Sequence, residues 1–97
     1  MGPWIETNLD ALDLEGLPIR AHLTHDGTTK VKQDSNSNQM IKSVPEIIEW
    51  VSQAFTLLPG DVISTGSPAG TAQMVPGDEI EIEIPGLGSL KNPVVKA

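Results

Sequence analysis

A chain of 97 residues with 13 acidic and 6 basic side chains, net −7, has room for one small domain. That charge excludes a nucleic-acid backbone and an anionic membrane surface as partners, because both need clustered Lys and Arg. With no cysteine, disulfides, thiolate metal sites and a cysteine nucleophile are excluded as well.

No apolar run approaches the ~18 residues of a membrane span, and no basic, apolar leader opens the chain. A cytoplasmic location is the expectation. Aromatic side chains are limited to Trp4, Trp50 and Phe55, so core volume must come from Ile, Leu and Val. A chain this short buries only roughly two-thirds of its unfolded surface, so a partner surface is expected to contribute to stability.

In chain order, Gly2-Pro3-Trp4-Ile5 reads as an entry into a fold anchored by Trp4, as though the chain began inside a larger domain. Leu9, Leu12, Leu14 and Leu17 alternate loosely with acids and predict a packed turn or loop. Ile19–Leu23 and Thr28–Gln33 flank His25-Asp26-Gly27, and Asp-Gly between two such runs predicts a β-hairpin. His22 and His25 stand three apart, hence on opposite faces of a strand, and are not expected to form a metal pair. Gln33 to Gln39 is uniformly polar and predicts a loop, either solvated or presenting side chains to a polar ligand.

The helix signal lies between Met40 and Leu57. Ser43-Val44-Pro45-Glu46 matches a capping box, with Pro45 tolerated in the first turn. Ile47, Ile48, Val51, Ala54 and Phe55 then form an apolar stripe, with Trp50 at its edge as a core or interface residue. Pro59-Gly60 turns the chain into Val62-Ile63, read as a short buried strand. Thr65-Gly66-Ser67-Pro68-Ala69-Gly70 follows as a stiff polar loop of the kind that contacts small molecules. Glu79 to Ile84 alternates strictly between Glu and Ile and is the clearest strand. Its three carboxylates are expected to wet one sheet face rather than hold a metal. Pro85 to Gly88 turns into a last strand, Ser89 to Val95.

Signatures of catalysis are absent from the sequence. The two histidines lie far from Ser67, and there is no Gly-x-Ser-x-Gly elbow, P-loop, dinucleotide fingerprint or His-Glu-x-x-His. No catalytic or metal-ligating residue is assigned on these grounds. The residues alone describe a small acidic α+β domain with a rigid Thr-Gly-Ser loop.

Several stretches, taken in order, carry a resemblance. They are Gly2-Pro3-Trp4-Ile5, Gln33-Asp34-Ser35-Asn36 with Met40-Ile41, Val44 to Ile48 with Trp50-Val51-Ser52, Thr56-Leu57 with Pro59 to Ile63, Thr65 to Gly70, Pro76-Gly77-Asp78, and Gly86-Leu87-Gly88 with Leu90 and Asn92 to Val95. Together they resemble the C-terminal part of the fumarylacetoacetate hydrolase family, over nearly the whole chain. The resemblance implies an α+β fold, a mixed β-sheet roll with one main helix. It implies a metal-dependent hydrolase or isomerase that cleaves a C–C bond in β-diketo acids or acts on 2-hydroxy-dienoates. It implies Mg²⁺ or Mn²⁺ in the complete domain, a small carboxylate substrate and a homodimer.

The resemblance further implies that Thr65, Gly66 and Ser67 contact the substrate's carboxylate, Ser67 standing for a threonine, and that Gln33 lies close to the pocket. The family's metal carboxylates belong to a segment upstream of the Gly-Pro with which this chain opens. Residues 1–97 are therefore expected to be part of the catalytic domain, with no metal bound by this chain alone. His25-Asp26-Gly27-Thr28, Gln39 and Lys42 depart from the family pattern, Lys42 replacing a phenylalanine. The alternative expectation is a non-catalytic truncated paralogue that binds small carboxylates or serves in oligomerisation.

Overall fold

The Asp-Gly turn sets the first half of the architecture. Asp26 (φ 45°) and Gly27 (φ 74°) both take positive φ, the geometry of a tight two-residue hairpin turn. They join β1 (Pro18–His25) to β2 (Thr28–Asn36). The computed structural model describes the backbone of all 97 residues and every side chain except that of Ala11. After α1 (Val44–Ala54), the chain returns through β3 (Glu79–Ile84) and β4 (Gly88–Pro93). The sheet has the order β2-β1-β3-β4, with each neighbouring pair antiparallel. One helix beside a four-stranded sheet is the α+β class anticipated from the residues.

The alternation of β3 works as expected. Ile80 and Ile82 stand opposite Leu23 and Ala21 of β1, and these two β1 residues are the buried apolar core. Glu79, Glu81 and Glu83 point the other way and meet basic side chains. Lys91 Nζ lies 2.8 Å from Glu79 and 3.8 Å from Glu81, while Glu83 meets His22 at 3.2 Å. Trp4 anchors the N-terminal segment by laying its ring on Gly88, where a Cβ would strike it.

Two expectations are corrected. The polar run from Gln33 is not all loop: β2 continues to Asn36, and a 3₁₀ turn follows at Ser37–Gln39. Backbone pairing with β1 needs no apolar side chains at an edge, and the polar side chains find local work instead. Buried Ser37 accepts the Leu17 N–H on its Oγ at 2.9 Å and donates its own N–H to the Leu17 carbonyl. Asn36 donates Nδ2–H to the Gly16 carbonyl at 2.9 Å. Val62-Ile63 is not a strand, and Val62 is 65% exposed. Among the described residues no strand edge pairs with it, and a run of two apolar residues cannot form a ladder alone.

The capping box of α1 is present in full. Ser43 N–H donates to Glu46 Oε2 at 2.7 Å, and Glu46 N–H donates to Ser43 Oγ at 3.4 Å. Those bonds hold the Glu46 carboxyl below its ordinary value. The apolar stripe of α1 is only half covered: Ile47 and Val51 are half-buried, whereas Ile48, Trp50 and Phe55 are exposed. Trp50 is thus not a core residue in this chain. No helix among the described residues is long and apolar enough to cross a membrane.

Candidate functional site

The site starts from an irregularity in β2. The β1–β2 register shifts between Ala21, opposite Gln33, and His22, opposite Val31, which leaves Lys32 without a partner as a bulge. A bulge bends its strand and re-aims the groups beside it, and bulges are frequent next to functional sites. Here the bulge and its neighbour hold the Thr65–Gly70 loop. Gln33 donates Nε2–H to the Pro68 carbonyl at 2.7 Å. Gly70 packs against the Lys32 carbonyl so closely that a Cβ there would overlap it, and φ at Gly70 is +96°. Glycine is required at that position on both counts.

Pinned in this way, the loop forms one wall of a cleft of about 780 Å³. α1 and the segment before it line the same cleft, through Met40, Lys42, Ile47, Trp50 and Val51. Thr65, Gly66 and Ser67 all line the cleft. Among the described residues, no backbone N–H between Ile63 and Ala69 finds an acceptor within the chain. The loop therefore presents hydroxyls and free amide donors at the edge of a mainly apolar hollow, the donor set that suits a carboxylate.

Gln33 is placed differently from the other three predicted residues. It lines a smaller hollow of about 200 Å³ on the far side of the loop, which Ser67 and Gly70 also reach. Its amide nitrogen is committed to Pro68, so its visible role is to position the loop. Lys32, Gly70, Lys42 and Trp50 belong to the site yet were not assigned to it from the sequence. Lys32 had no local signal, whereas Gly70 closed the polar loop that the sequence singled out. The replacement of an apolar residue by Lys42 just before a cap was the signal available for the third.

The histidines do not come together. His22 Nε2 lies 3.2 Å from Glu83, and His25 Nδ1 lies 2.6 Å from the buried Asp78. The bond to Asp78, with the Asp26 charge beside it, raises the pKa of His25, and the Val75 amide together with His25 lowers that of Asp78. No group of three His, Asp or Glu suited to a metal ion exists among the described residues. The carboxylates of β3 are engaged by Lys91, Arg20 and His22, and none lines the cleft. Among the described residues, the donor set does not fit a divalent cation.

Comparison with known proteins now places the chain. A family model described as fumarylacetoacetate (FAA) hydrolase C-terminal matches residues 1–95. The chain belongs to the fumarylacetoacetate hydrolase family. The structure is similar to that of Cg1458 with inhibitor, with TM-score 0.95 and 68% identity, covering 99% of this chain and 36% of that one. It is similar to maleylpyruvate hydrolase from Sphingobium sp. SYK-6 in complex with manganese(II) ion and pyruvate, with TM-score 0.86 and 36% identity, covering 97% of this chain and 34% of that one.

Among curated sequences, the 4-hydroxyphenylacetate degradation bifunctional isomerase/decarboxylase of Salmonella dublin is 37% identical over 95 residues, 98% of this chain and 21% of its own length. The chain spans between about a fifth and two-fifths of the curated relatives it matches. Relatives in the family are thus hydrolases and isomerases, and one binds manganese.

Proposed function

We propose that residues 1–97 form the part of a fumarylacetoacetate hydrolase-type catalytic domain that binds the substrate's carboxylate. The domain would act on β-diketo acids or 2-hydroxy-dienoates by C–C bond hydrolysis or isomerisation. One observation carries the reading. The Thr65–Ser67 loop, pinned to β2 by Gln33 and Gly70, offers unpaired donors to a cleft that contains no carboxylate.

In this reading Thr65 and Ser67 donate hydroxyl hydrogen bonds to a substrate carboxylate. The Gly66 backbone lets that carboxylate approach closely, and Gln33 holds the loop. The metal of the complete domain, which supplies Lewis-acid stabilisation of an enolate when bound, would be ligated by carboxylates from a segment upstream of these residues. The exposed Trp50 and Phe55 on α1 favour a homodimer. Sedimentation equilibrium is expected to show self-association at micromolar concentration, and a stable folded monomer would contradict it. The same reading places the protein in the cytoplasm.

Amide chemical shifts during a pyruvate titration test the central claim. Saturable shifts are expected at Thr65, Gly66 and Ser67, with millimolar affinity. Shifts confined to other elements, or none, would overturn it.

The apolar exposure of α1 also favours a second reading, a non-catalytic paralogue that associates with a longer relative. An in-frame segment carrying the family's metal carboxylates in the upstream genomic sequence supports the first reading, and unrelated sequence there supports the second.

A further inference from the structure

The segment from Pro68 to Asp78 runs from the cleft loop to β3 and is fastened at both ends to the same hairpin. Upstream, Gln33 holds the Pro68 carbonyl and Gly70 sits on that of Lys32. Downstream, His25 Nδ1 lies 2.6 Å from Oδ1 of Asp78. Between the fastenings Thr71 to Gly77 are exposed, and among the described residues Thr71 to Met74 make no backbone-to-backbone hydrogen bond. Few bonds and high exposure mark a stretch that opens at low free energy. Asp78 is the knot of the downstream end. Its Oδ2 accepts the Val75 N–H at 2.9 Å, its own N–H donates to the Val75 carbonyl at 3.0 Å, and its carbonyl accepts the Val94 N–H at 2.8 Å. Its carboxyl is buried, and a buried carboxylate needs a hydrogen-bonded, charged partner.

His25 is a charged partner only while protonated. Neutral imidazole with its proton on Nδ1 still donates to Asp78, but only imidazolium also carries a proton on Nε2, which faces Asp26 Oδ2 at 3.4 Å. The charged groups around the ring are Asp78 before β3, Asp26 in the turn and Lys30 on β2. The bond to Asp78 and then the Asp26 charge raise the imidazole pKa above 6.5, against burial and Lys30. We propose that His25 is a proton-operated latch: as imidazolium it ties residues 71–78 to the β1–β2 hairpin, and on losing the proton it lets them open while the sheet stays paired. The device is independent of the carboxylate-binding reading above. Its hold is complete below pH 6.5 and is lost as pH rises through the folded pKa. The upstream fastening uses a neutral amide and a backbone carbonyl, so the opening stops at Gly70.

Amide hydrogen exchange of the full chain, followed residue by residue from pH 6 to 9 with and without about 1 M urea, tests it. Protection, taken relative to an unstructured chain at each pH, is expected to fall about fivefold at Val75, Gly77 and Asp78 as His25 deprotonates. It should be insensitive to urea there, because a local opening exposes little surface, whereas protection at Ala21, Leu23 and Ile82 should weaken with urea. H25Q should show the lowered protection at every pH, and H22Q should keep the fall. Protection at residues 75–78 that does not change with pH, or that follows urea in parallel with the sheet, would overturn the latch. So would a fall that persists in H25Q or vanishes in H22Q.

Discussion

Replacing Gly70 with alanine tests the docking of the loop most directly. The new Cβ would overlap the Lys32 carbonyl oxygen, with Lys32 C at 3.3 Å and Gln33 Cγ at 3.4 Å. The oxygen belongs to the bulged backbone of β2, which cannot swing aside like a flexible side chain. The residue must also hold φ +96°, which costs an L-amino acid about 1–3 kcal/mol. If the loop moves to relieve the overlap, it loses the 2.7 Å bond from Gln33 to Pro68, worth about 1 kcal/mol net. The total comes to about 2–4 kcal/mol, a large share of the 5–15 kcal/mol that typical domains possess.

Gly60→Ala is the matched control. Its φ is +98° but nothing lies within 4 Å of a Cβ, so only the backbone cost of about 1–3 kcal/mol applies. Urea unfolding of the two variants measures the difference, expected to be about 1 kcal/mol or more against G70A. Amide shifts should show displacement of residues 65–69 in G70A alone. Equal costs, or an undisturbed loop in G70A, would refute the claim that the Lys32 bulge seats the loop.

Ser43→Ala removes the Oγ that accepts from Glu46 N–H, and it should cost about 1 kcal/mol, read as a lower urea midpoint with an unchanged slope. The His25–Asp78 pair makes stability depend on pH. His25 is raised from 6.5, so its contribution is complete below that value and is lost as pH rises through the folded pKa. Asp78 is lowered from 3.8, so its contribution is present above that value and is lost as pH falls through the folded pKa. Urea midpoints measured from pH 5 to 9 should decline on the alkaline side, and H25Q should remove the decline. Parallel curves would show that the pair is not responsible. The 97-residue chain should show no saturable Mg²⁺ binding by calorimetry and no turnover of acylpyruvates. EDTA-sensitive turnover by the pure chain would contradict the proposal that the metal ligands lie in another segment.

The elements that the residues determined by themselves are those set by neighbours along the chain. Asp26-Gly27 specifies a turn because both residues accept positive φ. Ser43 and Glu46 specify the start of α1 because their groups meet within one helical turn. The Glu/Ile alternation of β3 specifies a strand with one wet face. The family resemblance likewise rests on the order of short motifs along the chain.

Tertiary structure decided what the loop touches. The seat of Gly70 on Lys32 and the bond from Gln33 to Pro68 join segments 35 or more residues apart, beyond the reach of local periodicity. The same holds for β2, where pairing with β1 carried a polar run into the sheet, and for Val62-Ile63, which has no paired strand edge among the described residues. Lys42 and Trp50 line the cleft together with the loop although they lie at least 15 residues from it in the chain. A local pattern records which face of an element is apolar, but the position of that face depends on contacts between residues distant in the chain.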